Sequence, residues 1–594
     1  EPPVIKPSKQ DTQKDPTISI DGKTALLGDK VYYRVNIDAS RLTDTAYKVW
    51  RLGMTDDYDQ EYLTLDAKHV EILDETGRDR TGEFNIQDKD GVLYAFAKTV
   101  DTQIPATGET VPGDPQPDDL KAYSEKTDKD YDPLKDPSID QSLLGHTYQV
   151  VMPMTVTKVK DGHTVENTAT QVTNDKRDKT NTVTNPLKEI NPTKDVTVQV
   201  GGDSIDGKSV YLNHTFLYRL DSSILPPDRA YQTVTDWGGT DQLNTEYDQY
   251  LGNWAVYASR DLYRDGQMLA AKGEKIAGSG FDSSKFGGNL FTVDADDNGK
   301  VTADATQAYL DLVSADNEHE AGWVLYLQCK RIAVADEVPN TWTETINGQP
   351  RESNKVVTKT PDMTPSIHLE KVDTPTLKQE GQEQADRDDP KQALKMDADS
   401  IGITFIITNT SKTDPATGDG AWYKASDLNL ADSTIVGDAH VDMDSLTYPA
   451  DWDTLVLKPG ESVSVTGTLK GVKEGETHTD RAIVTGTPLV ECAPSNGDPF
   501  NDKTDGGEDT DPEYSTGDVT EIDGKQLCAD TQTASNTDDW NGYRAKPLAS
   551  TGVAVLGLAG GALAVLLAGG SLLVFRKRHY AQGSGRHTAV NAGK

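Results

Sequence analysis

A chain of 594 residues is too long for one hydrophobic core and calls for three or four domains. Its formal charge of -38, from 97 acidic against 59 basic residues, excludes nucleic acid as a partner, because counterion release needs a basic face and no long basic stretch occurs outside the C-terminal tail. Acidity of this kind keeps an exported protein soluble, and three cysteines are too few for a disulfide scaffold.

Thr, Val, Ile and Tyr alternate with polar residues throughout, and turn formers recur about every ten residues, which predicts an all-β chain of Ig-like sandwiches. Residues 31–35, 215–220, 402–409 and 461–469 are typical strands. Helical periodicity is scarce; its best case is 302–314, with Tyr309, Leu310, Leu312 and Val313 on one side. No secretory signal opens the chain, so further protein is expected upstream of Glu1.

A long repeat appears when the two halves of residues 1–362 are laid together. Ser19-Ile20-Asp21-Gly22-Lys23 recurs as Ser204-Ile205-Asp206-Gly207-Lys208, and Pro7-Ser8-Lys9 falls on Pro192-Thr193-Lys194, both offset by 185 residues. Further on the offset shrinks, so that Asp57-Tyr58 meets Asp236-Trp237 and Asn167-Thr168 meets Asn340-Thr341. These patterns predict domains at 1–188, 189–362 and 363–546, with a terminal signal at 547–594.

The tandem pair resembles the C-terminal stalk domains of the streptococcal antigen I/II adhesins. The carrying residues include Ile20-Asp21-Gly22-Lys23, Asp56-Asp57-Tyr58, Pro153-Met154-Thr155-Val156 and Glu166-Asn167 in the first repeat, and Lys330-Arg331-Ile332-Ala333 in the second. The resemblance implies DE-variant sandwiches in an elongated stalk, each closed by an intramolecular isopeptide bond, from Lys9 to Asn167 and from Lys194 to Asn340. A lysine amine attacks only when neutral, so it needs apolar burial, and the carboxamide it attacks needs a protonated acid to polarise its carbonyl. Asp57 and Asp236, each directly before an aromatic residue, are the expected acids.

Within the second repeat, Asp294, Asp296 and Asn298 stand at positions 1, 3 and 5 of a calcium-loop pattern with Gly299 at position 6. Position 12 is Ala305, which removes the bidentate carboxylate, so the Asn298-Gly299 hairpin turn is the stronger reading and calcium the weaker one. No other cofactor is called for. His319-Glu320 lacks a second histidine, and neither a nucleophile elbow nor a phosphate loop is present, so no conventional enzyme is expected.

The third region looks like the repeated modules of bacterial surface stalks. Lys371 and Asp480 are its candidate crosslink pair, an aspartate standing where similar modules often carry asparagine. Cys492 and Cys528 bracket an Asp- and Gly-rich excursion that a disulfide would tie off in an exported protein, while Cys329 is expected to be buried and inert.

The chain ends in three ordered signals. Leu548-Ala549-Ser550-Thr551-Gly552 precedes 23 uncharged residues, 553–575, and then Arg576-Lys577-Arg578. At 1.5 Å per residue such a run would cross a hydrocarbon core of roughly 30 Å as a helix, with the basic tail on the cytoplasmic side. The pentapeptide resembles the sorting signal of Gram-positive surface proteins, with Ala549 in place of the commoner proline. That implies a sortase cutting after Thr551 and joining it to peptidoglycan, so that the membrane is a partner only before sorting. The expectation is a wall-anchored adhesin stalk outside the cell, serving a host or microbial surface ligand. A single-pass receptor that keeps its tail and a wall-bound hydrolase are the competing readings.

Overall fold

A computed structural model of the chain describes residues 4–374, 387–500, 514 and 518–547. These form three β-sandwiches, each built of two mainly antiparallel sheets around its own apolar cluster. Strands arise where small-period alternation puts every second side chain inside, as in β1 (Ser8–Thr12) and β2 (Lys30–Asp38).

In the first sandwich β1 is the edge of one sheet, followed by β2 and the long Thr147–Val156 strand. The opposite sheet contains β3 (Leu52–Asp57) and β4 (Ala169–Thr173) side by side. The second sandwich repeats this plan. Its edge strand β5 (Thr193–Thr197) pairs with β6 (Thr215–Asp221), and the facing sheet joins β7 (Trp237–Gln242) to β8 (Trp342–Ile346). In the third, edge strand β9 (Ile367–Asp373) pairs with β10 (Ser400–Asn409), opposite β11 (Asn429–Val436), β12 (Thr477–Gly486) and β13 (Ala534–Arg544).

The helical period is only half realised. Residues 300–305 continue a strand, Lys300–Ala305, and the helix is Gln307–Ala315, which buries Tyr309, Leu310, Leu312 and Val313. Ladder pairing with Trp237–Gln242 claims the first part, so tertiary pairing overrides the local period. The Asn298-Gly299 pair turns the hairpin between Phe291–Ala295 and Lys300–Ala305, with Gly299 at φ 82. A Cβ there would come within 2.5 Å of Thr245 Cγ2 and 2.8 Å of the Leu243 carbonyl oxygen. Asp296 accepts from the Asn298 and Lys300 amides at 2.9 Å each, so one of the calcium-pattern carboxylates holds the turn. Among the described residues no group of three His, Cys, Asp or Glu is arranged to hold a metal.

Cys492 and Cys528 form a disulfide, and Cys329 is a buried free thiol. The segment beyond Cys492 reaches the second sandwich. There Phe500, 1% exposed, packs with Leu217, Ala255, Tyr257, Val324 and Tyr326, and its carbonyl accepts from Lys275 Nζ at 2.9 Å. The sorting pentapeptide Leu548, Ala549, Ser550, Thr551, Gly552 and the run 553–575 lie outside the described residues. Among the described residues no helix is long and apolar enough to cross a membrane.

Candidate self-crosslinking sites

Lys9 is the second residue of edge strand β1 and turns inward by the strand's alternation. Its side chain is wholly buried, with Nζ 4.5 Å from the centre of the Tyr33 ring and bonded to the Asp56 carboxylate, which is equally buried. Burial holds the Lys9 amine below its ordinary pKa and raises Asp56 above the usual carboxylate range, so desolvation drives both toward their neutral forms. The Asn167 carboxamide adjoins Asp56 and Tyr33. It is 1% exposed, and neither its nitrogen nor its oxygen makes a fully formed hydrogen bond. A buried carboxamide left this way is costly.

The second sandwich reproduces the set. Lys194 is buried 4.6 Å from the Tyr218 ring centre and bonded to Asp241, and burial lowers its pKa. Asn340 is 6% exposed and its Nδ2 has no partner. The neighbouring Trp342 Nε1 donates to the Thr193 carbonyl at 3.0 Å, which ties the Asn340 segment to the lysine strand.

The acids differ from the sequence expectation. Asp57 follows Asp56 along β3 and therefore points to the other face, where it is exposed. Asp236 is half-buried before β7, and its carboxylate accepts from the Gly348 amide at 3.1 Å, a loop contact away from Lys194. Asp56 and Asp241 stand beside the lysines instead. The signal was present, since 56 and 241 keep the same 185-residue offset as 9 and 194. Matching by the adjacent aromatic residue chose the wrong register.

One further pair went unassigned. An edge strand exposes unpaired backbone groups, and the Asn181 side chain closes those of Lys9, accepting from its amide and donating to its carbonyl at 2.9 Å each. Asn354 does the same for Lys194 at 2.8 and 2.9 Å. Both clasps fix the height of the lysine along its strand.

Register relates the acid to the asparagine identically in both sandwiches. Asp56 pairs across the ladder with Ala169, two residues after Asn167. Asp241 pairs with Trp342, two residues after Asn340. A spacing of two keeps both groups on the inner face.

In the third sandwich Lys371 is wholly buried against Asp432 and Asp480, with Asp480 Oδ1 2.6 Å from Nζ.

The description "Cell surface antigen I/II C2 terminal domain" fits residues 7–187, and "Cell surface antigen C-terminus" fits residues 191–361. The Enterococcus faecalis aggregation substance is 30% identical over 324 residues, which is 54% of this chain and 21% of that protein, so the chain spans about a fifth of the length of this relative. The C-terminal domain of the Streptococcus pyogenes antigen I/II-family protein AspA is 22% identical, covering 60% of this chain and 100% of that one with a TM-score of 0.45. The Streptococcus agalactiae BspA C-terminal domain is 18% identical, covering 59% and 99%, with a TM-score of 0.44.

Proposed function

The chain belongs to the antigen I/II family of cell-surface proteins, and from that premise we propose that it is the wall-proximal stalk of a Gram-positive surface adhesin. It is closed by Lys9–Asn167 and Lys194–Asn340 isopeptide bonds and joined to peptidoglycan at Thr551. The observation that carries the crosslinks is the buried lysine–aspartate pair in each repeat, with an under-bonded asparagine carboxamide at the same register.

In each repeat the neutral lysine amine attacks the asparagine Cγ. The protonated aspartic acid donates to the carbonyl oxygen, takes the proton shed by the new C–N bond and passes it to the departing amide nitrogen. One C–N bond forms, one breaks, and one ammonia leaves. The carboxyl ends as it began. Each site acts once on its own chain, so this is self-modification rather than turnover.

The mechanical benefit follows from position. Lys9 and Lys194 lie on edge strands, and a covalent tie from there to the far end of the domain carries load otherwise borne by ladder hydrogen bonds worth about 1 kcal/mol each. By analogy with a disulfide closing a loop of this size, the tie also restricts the unfolded chain by about 4 to 5 kcal/mol. The sorting role rests on the ordered terminal triplet, and the ligand would be a host or microbial surface molecule.

Peptide mapping of the whole chain by mass spectrometry tests the crosslinks. Branched peptides joining Lys9 to Asn167 and Lys194 to Asn340 should each be short by one ammonia. Unbranched peptides at full mass in the folded protein would overturn the reading.

A further inference from the structure

The third sandwich lies outside the residues that match the family, yet its core contains ionisable groups that no apolar packing requires. Lys371 enters it from edge strand β9, with its Nζ 5.5 Å from the Phe405 ring centre and its side chain wholly buried. Asp432 and Asp480 both contact Nζ, at 2% and 0% side-chain exposure. His478, 1% exposed, puts Nε2 3.2 Å from Asp480 Oδ2. One ammonium facing two carboxylates in a dry core would leave a net buried charge, an arrangement that desolvation makes expensive.

The ladder register separates the two aspartates. Asp432 on β11 pairs with Ala482 on β12, and Asp480 lies two residues before Ala482. This is the relation of Asp56 to Asn167 through Ala169 and of Asp241 to Asn340 through Trp342. The lysine strand is the sheet edge in all three sandwiches. Its backbone is also held from the last strand here, since the Lys371 amide donates to Asp538 Oδ2 at 2.6 Å, where Asn181 and Asn354 act in the other two.

We propose that Lys371 and Asp480 form a third intramolecular amide, with Asp432 as the acid that assists it. The amine of Lys371 attacks Cγ of the protonated Asp480 carboxyl. Asp432 donates to the carbonyl oxygen, receives the proton shed by the attacking nitrogen and delivers it to the departing hydroxyl. One C–N bond forms, one C–O bond breaks, and one water leaves. The product is a neutral amide beside Asp432, which ends as the protonated acid it began as, so the buried Lys371–Asp480 ion pair is gone from the core. The inference borrows the chemistry of the first two sandwiches, but its leaving group is different, so the two stand or fall separately.

Peptide mapping of the whole chain by mass spectrometry reads all three sites together. A branched peptide joining the Lys371 and Asp480 segments should be short by one water, whereas the first two sites should each be short by one ammonia. Asp480→Asn should react with loss of ammonia and finish at the same mass as the parent, because both routes end in the same amide. Asp480→Ala and Lys371→Gln should give linear peptides, and Asp432→Asn should slow formation about a hundredfold. Linear peptides at full mass for both the parent and Asp480→Asn would overturn the proposal, whatever the first two sites show. A water loss that persists in Asp480→Ala and disappears in Asp432→Ala would overturn the assignment of acceptor and acid.

Discussion

Asp56 and Asp241 hold the same address in two different sandwiches: each lies 47 residues beyond the lysine that it contacts, on the strand facing that lysine across the core. The shared count means that the segment from the edge strand to the facing sheet has the same length in both. Crosslinking should therefore depend on these carboxyls. Asp56→Asn or Asp241→Asn should each restore one ammonia mass and lower the melting temperature of that sandwich by roughly 10 °C, the size expected from about 4 kcal/mol in a domain of this length. Asp57→Asn and Asp236→Asn should leave the mass deficit intact. A deficit that survives Asp241→Asn would remove Asp241 from the mechanism.

Asp11, two residues beyond Lys9, is fully buried in β1, and neither carboxylate oxygen makes a fully formed hydrogen bond. Burial, reinforced by Asp21, pushes its pKa up to about 7. The folded state therefore holds a proton that the unfolded chain releases near the usual carboxylate value. The resulting stability is fully present below about pH 4 and is lost as pH rises through about 7. Asp11→Asn should remove this slope, stabilising the first sandwich more at pH 8 than at pH 5, by on the order of 1 to 3 kcal/mol. Equal effects at both pH values in differential scanning calorimetry would refute the buried-acid account.

Phe500 links the disulfide-closed segment to the second sandwich through an apolar patch and the Lys275 bond. Removing its ring should cost about 3 kcal/mol of docking free energy, enough to open the segment roughly a hundredfold more often. In Phe500→Ala, limited proteolysis should cut within 493–500 correspondingly faster while the sandwiches stay resistant. Unchanged cleavage would mean that the contact contributes little.

Thr551→Ala should shift the protein from the wall fraction to membrane and medium, because the sorting reading requires the threonine carbonyl as the point of transfer. Mature protein that retains residues 576–594 and stays firmly bound to peptidoglycan after the change would count against it.

Alternation of apolar and polar residues, the 185-residue repeat and the two buried-lysine positions were legible in the sequence, because strand period and tandem duplication are local, countable patterns. The proposed pairing of Lys9 with Asn167 and of Lys194 with Asn340 was drawn from the repeat together with the family resemblance. The tertiary structure decided between Asp56 and Asp57, since neighbouring residues on a strand face opposite ways and in the sequence the 185-residue offset of Asp56 and Asp241 competes with a match by adjacent aromatic residues. It alone brought Asp432 to Lys371, chose the asparagine clasps and seated Phe500 on another domain. These are contacts between residues distant in sequence, determined by sheet register and by the packing of one strand against its partner rather than by any pattern along the chain.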